Sequence, residues 1–310
     1  MGTMADTAST SAPATARPPA PLLVALGFAT IYVVWGSTYL GIRWAVATIP
    51  PFVMGGTRFL LAGVLLHLFL RLRGAAAPTR TQVRDGAIVG ALLLLGGNGL
   101  VNWAEQFLPS GLTALVIGTT PLAFVALEWL LPPRRPPTAL TLAGLALGTV
   151  GIALLSLQGG VDGTVHWGAL IAILVACVTW AGGSLYSKQA GHGTDPFMAA
   201  SLQMIAGGAL QLLTATGTGE WAQFHPAAVT LRSALAWGYL VGIGSLVAFS
   251  TYIWLLRAST PARVSTYAYV NPVIAVFLGW ALAGETVTSR TVVAAAVIVA
   301  AVVIITRQKR

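Results

Sequence analysis

The sequence predicts an all-α integral membrane protein with ten transmembrane helices, arranged as two inverted five-helix repeats. Three observations support this fold class: the composition, ten long apolar stretches and a similarity between the two halves of the chain. Of the 310 residues, 56% are hydrophobic and 8% are charged, whereas a soluble globular protein carries about 25% charged residues. The composition therefore excludes soluble enzymes and disordered chains, and the lone Cys177 excludes an internal disulfide.

Ten stretches are long enough to cross a hydrocarbon core about 30 Å thick, which needs roughly 20 apolar residues at 1.5 Å each. They lie near residues 22–42, 52–70, 86–104, 111–131, 138–157, 167–187, 197–215, 233–256, 264–284 and 290–306. The connections are short, so no water-soluble domain fits between the helices. Residues 1–20 are mostly Ala, Ser, Thr and Pro without an apolar run, which predicts a disordered cytoplasmic tail.

The basic residues indicate which helix ends face the cytoplasm, because short cytoplasmic loops retain Lys and Arg. One side holds most of them: Arg17, Arg71, Arg73, Arg80, Arg84, Arg134, Arg135, Lys188, Arg257, Arg263, Arg307, Lys309 and Arg310. The other side holds Arg43, Arg232 and Arg290, and Arg58 lies within a span. We therefore predict that both termini are cytoplasmic. The basic residues form no patch typical of nucleic-acid binding, so we expect no nucleic-acid partner.

The two halves of the chain share residues at fixed offsets. A shift of 145 residues pairs Trp35 with Trp180, Arg43 with Lys188, Pro51 with Pro196, Phe52 with Phe197 and Gly63 with Gly208, and a shift of 151 pairs Pro121 with Pro272 and Trp129 with Trp280. Chance matches in a biased composition are the alternative. Because five is an odd number of spans, the second repeat enters the membrane from the other side, as in many secondary transporters. The predicted repeats cover residues 21–157 and 167–306.

Several segments resemble a known family. The runs WGSTYLGIRWAV at 35–46, PPFVMGGTRFLLAG at 50–63 and STYAYVNP at 265–272, with Gly284 and Glu285, are similar to EamA-type exporters of the drug/metabolite transporter superfamily. The resemblance covers nearly the whole chain after the tail. It implies two inverted repeats of five helices, a location in the bacterial inner membrane, and export of small metabolites or drug-like compounds. It does not indicate which substrate is carried.

Arg58 lies inside the second predicted span, about 9 Å below its outer end. A guanidinium at that depth is costly unless it faces a cavity or a partner, so we predict that Arg58 lines the substrate pathway. The alternatives are that its side chain extends toward the interface or pairs with Glu105 as a fixed strut. Its counterpart in the second repeat is the uncharged Gln203, so any electrostatic role belongs to one repeat.

The third predicted span carries Asn98, Asn102 and Glu105, whose spacings of four and three place them on one helix face. Such a polar stripe avoids lipid, because an unpaired amide there costs several kcal/mol. We predict that it lines the pathway, with hydrogen bonding to a neighbouring helix as the alternative. Glu105 lies near the outer end, where water would also explain it.

The fourth and ninth predicted spans carry prolines at matching places. Thr120 precedes Pro121, while Tyr267 and Asn271 precede Pro272. A proline lacks an N–H and frees a carbonyl one turn earlier, so each helix can bend there. We predict that Pro121 and Pro272 are hinges and that Thr120, Tyr267 and Asn271 line the pathway. The alternative is a kink that serves packing alone.

Aromatic residues lie deep in the first span of each repeat. Trp35 and Trp180 are too far from the helix ends for an interfacial belt, and rings with a polar edge suit a cavity for amphipathic solutes. We predict that both rings line the pathway, together with Ser37 and Thr38 in the motif that carries the resemblance. The small-residue pairs at 144 and 148 and at 238 and 242 predict close helix contacts.

These predictions describe a secondary exporter with alternating access whose partners are a small-molecule substrate and the lipid bilayer. The alternatives are a membrane-embedded lipid or isoprenoid enzyme, which needs clustered carboxylates or an acid-paired His in the spans, and a channel or scramblase. The sequence contains no P-loop and its four His are scattered, so we expect no cofactor, no metal site and no enzymatic activity. Coupling to protons, for which Glu105 is the inward candidate, or to the substrate gradient stays open.

Overall fold

The computed structural model describes residues 20–104, 106–107, 116–132, 134–156, 166–190, 194–283 and 289–307. Within these ranges the ten long helices are α1 Pro21–Ala45, α2 Pro51–Leu72, α3 Arg80–Ala104, α4 Thr120–Leu130, α5 Ala139–Ser156, α6 Trp167–Ala190, α7 Pro196–Gly217, α8 Leu231–Ala258, α9 Tyr267–Ala283 and α10 Ser289–Arg307. Shorter helices, Glu220–Gln223, Pro226–Ala228 and Pro261–Val264, lie in the connections. These described ranges contain no strand. Of the predicted tail, residues 1–19 lie outside them.

The prediction of an all-α membrane protein is confirmed. Six of the helices (α1, α2, α3, α6, α7 and α8) are by themselves long and apolar enough to cross a membrane. Shorter apolar stretches lie in α4, α5 and α10, so the described helices are compatible with the predicted count of ten. Large apolar side chains such as Leu213 and Leu235 are about two-thirds exposed, as expected for helix faces that contact lipid.

Local chemistry explains where the helices begin. Proline occupies the first turn of α1, α2 and α7, where its missing N–H is not needed. The helix α3 begins at Arg80, six residues before the predicted 86, because Thr79 and Gln82 form a reciprocal capping box. Its first turn is polar and was therefore not part of the apolar stretch. Residues 111–115, the predicted start of the fourth span, lie outside the described part of the chain.

The packing of the helices follows a two-fold pattern. The helix α2 packs on α7, and α5 on α10. The helix α1 packs against α8 and α9 of the second repeat, and α6 packs in the same way against α3 and α4 of the first. The first helix of each repeat thus packs against helices of the other repeat, and this pattern agrees with the internal similarity of the sequence.

Two repeat-related glycines let α2 and α7 approach at backbone distance. A Cβ atom on Gly208 would lie 2.4 Å from the backbone nitrogen of Leu60, and one on Gly63 would lie 2.7 Å from that of Ile205. Both distances are far inside van der Waals contact. A side chain at either position would therefore push the two central helices apart.

Both α3 and α8 widen into a π-helix at matching places, Ala91–Gly99 and Leu240–Phe249. Each wide segment contains a glycine that meets the tryptophan of the other repeat. A Cβ on Gly97 would lie 2.6 Å from Trp180, and the indole N–H of Trp35 donates to the Gly244 carbonyl at 3.4 Å. Wide turns of this kind often mark functional sites.

The predicted glycine contacts are correct in α5 and wrong in α8. A Cβ on Gly144 or Gly148 would lie 2.7 Å from Ile305 or Tyr269, so both glycines allow close packing. Around Gly238 and Gly242, no neighbouring atom of the described chain lies within 4 Å of a Cβ position. Gly238 is exposed and Gly242 is half-buried, and neither makes a close helix contact within the described part of the chain.

Candidate functional site

Helices of both repeats surround a cavity of about 110 Å³. Nine of the residues predicted to line a pathway are on its wall: Trp35, Thr38, Arg58, Asn98, Asn102, Thr120, Trp180, Tyr267 and Asn271. Further wall residues include Tyr39, Phe59, Cys177, Gly244 and Phe249. The structure therefore brings together polar and aromatic side chains that are up to 236 positions apart in the sequence.

Arg58 is the one charged residue on the described wall of this cavity, and its side chain is 3% exposed. Its Nε donates to Ser245 Oγ at 2.8 Å, and its guanidinium carbon lies 4.5 Å from the centre of the Phe59 ring. Nη1 is buried and has no hydrogen-bond partner among the described residues. Ser245 and the adjacent Gly244 belong to the wide segment of α8, which gives the guanidinium its space.

Three amides give the wall further hydrogen-bonding capacity. Asn102 Nδ2 donates to Asn98 Oδ1 at 3.1 Å, so the predicted stripe on α3 is joined within itself. Asn102 and Asn271 are 3% and 2% exposed, and the Oδ1 atom of each lacks a partner in the described chain. Buried polar atoms without partners are rare in proteins and often belong to sites that a ligand completes.

Four aromatic rings pack into a cluster, and three of them, Trp35, Trp180 and Tyr267, are on the cavity wall. The ring centre of Trp35 lies 5.7 Å from Trp180, 4.9 Å from Tyr252 and 4.9 Å from Tyr267. The Tyr252 hydroxyl accepts the indole N–H of Trp180 at 2.9 Å and hydrogen-bonds to Ser184 at 2.6 Å. Tyr252 is fully buried, and its ring contact with Trp35 joins the second repeat to the first. We call these four rings the aromatic floor.

Sequence reasoning missed Tyr252. It lies four residues before the end of the predicted span 233–256, where a tyrosine is commonly an interfacial residue. A buried tyrosine needs a hydrogen-bond partner for its hydroxyl. The partners of Tyr252 lie on a different helix, so the sequence around Tyr252 does not show them.

The two predicted hinge prolines lie in different surroundings. Pro121 is in the first turn of α4, directly after a turn at residues 118–119. The Ile117 carbonyl, which a proline leaves without its usual partner, accepts the Thr120 hydroxyl at 2.6 Å. Pro272 lies inside α9. The hinge role of both residues stays a prediction.

Two predicted pathway residues are not on the described wall. The Ser37 hydroxyl donates to the Val34 carbonyl at 2.7 Å and hydrogen-bonds to the Tyr239 hydroxyl at 2.5 Å, so it joins α1 to α8. Glu105 lies outside the described residues.

Comparison with known proteins identifies the family. Residues 22–157 and 167–307 each match the EamA-like transporter family. The chain belongs to this family. It is thus a multi-pass membrane protein of a transporter family, and the resemblance of its motifs to EamA-type proteins is confirmed.

Relatives of this EamA-like protein include one with substantial identity. The chain is 41% identical over 261 residues to the uncharacterized inner membrane transporter YedA of Escherichia coli K12, covering 83% of this chain and 82% of YedA. It is 27% identical over 264 residues to an S-adenosylmethionine/S-adenosylhomocysteine transporter of Chlamydia trachomatis, covering 82% and 80% of the two chains. A solved crystal structure with 21% identity superposes with a TM-score of 0.76 over 92% of this chain and 98% of that one, which shows the fold.

In this EamA-like protein a second buried ionisable group lies at the start of α2. The Glu220 carboxylate accepts the backbone N–H groups of Phe52 at 2.8 Å and Val53 at 3.0 Å. The corresponding positions of α7 are capped by the adjacent Asp195, which accepts at 2.9 and 3.0 Å. Glu220 therefore caps a helix of the other repeat, and the sequence did not indicate this role. Burial raises the pKa of Glu220, against the opposing effect of the two N–H bonds.

Proposed function

We propose that this protein is a secondary transporter that exports small metabolites or drug-like compounds across the bacterial inner membrane by alternating access. The observation that carries the proposal is the cavity between the repeats, where buried polar atoms without partners face the same space as aromatic rings. Sites near the midplane between inverted repeats are where secondary transporters bind substrate. The names of YedA and of the chlamydial relative support transport of small molecules at the inner membrane.

The aromatic floor is the proposed closed gate of this conformation. With both termini in the cytoplasm, as the basic residues predict, the floor lies on the cytoplasmic side of the cavity. A hydrogen bond of 2.5 Å between Tyr32 and Thr266 joins α1 to the start of α9 on the same side. Opening toward the cytoplasm would separate these contacts, with Pro121 and Pro272 as the predicted hinges. The inverted relation of the repeats supplies the complementary closure on the other side.

Proton coupling is tested at Glu105, because the described wall of the cavity carries no acidic residue. A proton-driven antiporter needs a carboxyl group that gains and loses a proton during the cycle. If Glu105→Gln leaves the pH dependence of transport unchanged, protons are not exchanged at this residue, and coupling to the substrate gradient or to the membrane potential becomes the mechanism.

Proteoliposomes loaded with a panel of small metabolites test the transport function directly. We expect saturable efflux of a subset of the panel, measured by mass spectrometry, and acceleration of that efflux by the same solute on the other side. Asn271→Ala should reduce it, whereas Arg43→Gln, a change at an exposed residue of α1, should not. Linear, non-saturable flux would indicate a channel or scramblase. If the proteoliposomes retained every metabolite of the panel, the proposal would be contradicted.

A further inference from the structure

Arg58 has hydrogen-bonding capacity that no described residue of the protein fills. Its Nη1 atom is buried and lacks a hydrogen-bond partner in the described chain, while Nε is held by Ser245. A buried charge is tolerated when it is paired, and a guanidinium pairs best with an oxyanion, to which it presents parallel N–H groups. The described wall of the cavity carries no acidic residue, so none of these residues competes with a bound oxyanion for Arg58.

The rest of the wall indicates what is attached to that oxyanion. Trp35, Trp180, Tyr267 and Phe59 present ring surfaces to the same cavity. Flat apolar surfaces of this kind favour a planar apolar body. The volume of about 110 Å³ approaches that of the ~150 Å³ cavities that hold one benzene molecule. In this conformation the space therefore suits a single ring or a short side chain.

Taking transport as proposed above, we infer that the substrate is a small organic anion whose carboxylate or comparable oxyanion binds Arg58 Nη1 and whose planar apolar part lies against Trp35 and Trp180. Ser245 is a positioning residue, because it orients the guanidinium through Nε. The uncharged counterpart Gln203 is instead bound to Ser187 at 3.2 Å, so the anion site belongs to one repeat. The cavity excludes cations, because they would add a second positive charge beside a buried guanidinium.

A charge series of one ring size tests this inference in purified protein. Benzoate, benzamide and benzylamine at pH 7.5 have similar shapes and are anionic, neutral and cationic. Ligands that bind the native state raise its melting temperature, Tm. We expect benzoate to raise Tm by at least about 2 °C at saturation, and benzamide and benzylamine to have no comparable effect. Equal shifts with the three ligands, or no shift with benzoate, would overturn the inference.

Variants assign the effect to Arg58. We expect Arg58→Gln to abolish the benzoate shift, Arg58→Lys to weaken the apparent affinity at least about threefold because lysine lacks the forked donors, and Arg43→Gln to behave as the wild type. A folded Arg58→Gln protein that keeps the benzoate shift would refute the site. If that variant does not fold, the wild-type charge series and Arg58→Lys decide. A benzoate shift that appears only in Glu105→Gln would show that Glu105 already neutralises Arg58, which also overturns the inference.

The failure of this inference differs from failure of the transport function. Saturable efflux restricted to neutral or cationic solutes, unaffected by Arg58→Lys, would leave transport intact and remove the anion site. Absence of efflux for every solute would remove the transport function, while the Tm series would still report on anion binding.

Discussion

Adding one methyl group between α2 and α7 should separate the two central helices. In Gly208→Ala the new Cβ would lie 2.4 Å from the backbone nitrogen of Leu60 and 2.9 Å from the carbonyl oxygen of Gly56. Both neighbours are backbone atoms, so rotation of a side chain cannot relieve the clash. Because ordinary contact begins near 3.5 Å, α2 must shift by about 1 Å.

The magnitude follows from the contacts that such a shift loosens. A gap of about 0.5–1 Å removes roughly a quarter to a half of the dispersion energy of each affected atom pair. Overpacked substitutions cost about 1–3 kcal/mol, and about 2–4 °C of Tm corresponds to each kcal/mol in chains of roughly this size. We therefore expect the Tm of Gly208→Ala to fall by several degrees. Gly63→Ala, the repeat-related change, should fall similarly, because its Cβ would lie 2.7 Å from Ile205 N.

The protein contains its own reporter for this measurement. Cys177 is the lone cysteine and is 5% exposed, so a thiol-reactive fluorophore will label it on heating when the helices separate. Gly238→Ala is the matched control, because no neighbour of the described chain lies within 4 Å of its Cβ position. There alanine replaces glycine in a helix without a clash and should leave Tm unchanged or raise it. A Gly208→Ala protein as stable as Gly238→Ala would refute the packing argument.

Three further predictions concern Tyr252, Glu220 and the membrane potential. Tyr252→Phe leaves the Trp180 N–H without its acceptor, which costs about 1–3 kcal/mol, so Tm should fall by several degrees. Tyr186→Phe is the control: its hydroxyl bonds to Asp85, where water can replace the lost partner, so Tm should fall less. Equal losses of Tm in the two variants would contradict the buried role of the Tyr252 hydroxyl. Burial raises the pKa of Glu220 above its unfolded value, so the stability that its protonated form contributes should be lost as pH rises through the folded-state pKa. Tm measured against pH should therefore change less in Glu220→Gln than in the wild type. Identical pH profiles of Tm in the two proteins would contradict a raised pKa at Glu220. For an anion carried without a co-ion, a membrane potential of 100 mV, negative inside, should favour exit by ~2.3 kcal/mol, an outside-to-inside concentration ratio of about 50. This ratio is measured with benzenesulfonate in proteoliposomes under a potassium diffusion potential. Efflux that does not depend on the potential would indicate an electroneutral cycle.

The sequence predicts the spans because the requirement for them is local. Each helix must present about 20 apolar residues to lipid, so composition within a single window is sufficient. The start of α3 was misjudged for the same reason. The capping box of Thr79 and Gln82 extends that helix through polar residues that need not enter the hydrocarbon.

Polar residues within spans were also recognisable, because each must avoid lipid. Arg58, Asn98 and Asn102 were predicted on this ground, and the structure places them around one cavity. The glycine patterns show the limit of such reasoning. Gly144 and Gly238 both begin a small-residue pair, but only the neighbours of each helix determine whether the glycine meets another chain segment or lipid.

By itself the sequence determined the class of protein, the approximate spans and the presence of two related halves, because hydrophobic length and repeated residues can be read along a single chain. The tertiary structure alone decided that Tyr252 completes the aromatic floor and that Glu220 caps α2. The Tyr252 contact joins two helices of the second repeat, and the Glu220 contact joins the two repeats, so the partners lie 72 and 168 positions away. No local pattern specifies such pairs, because their geometry exists only after distant helices have packed against each other.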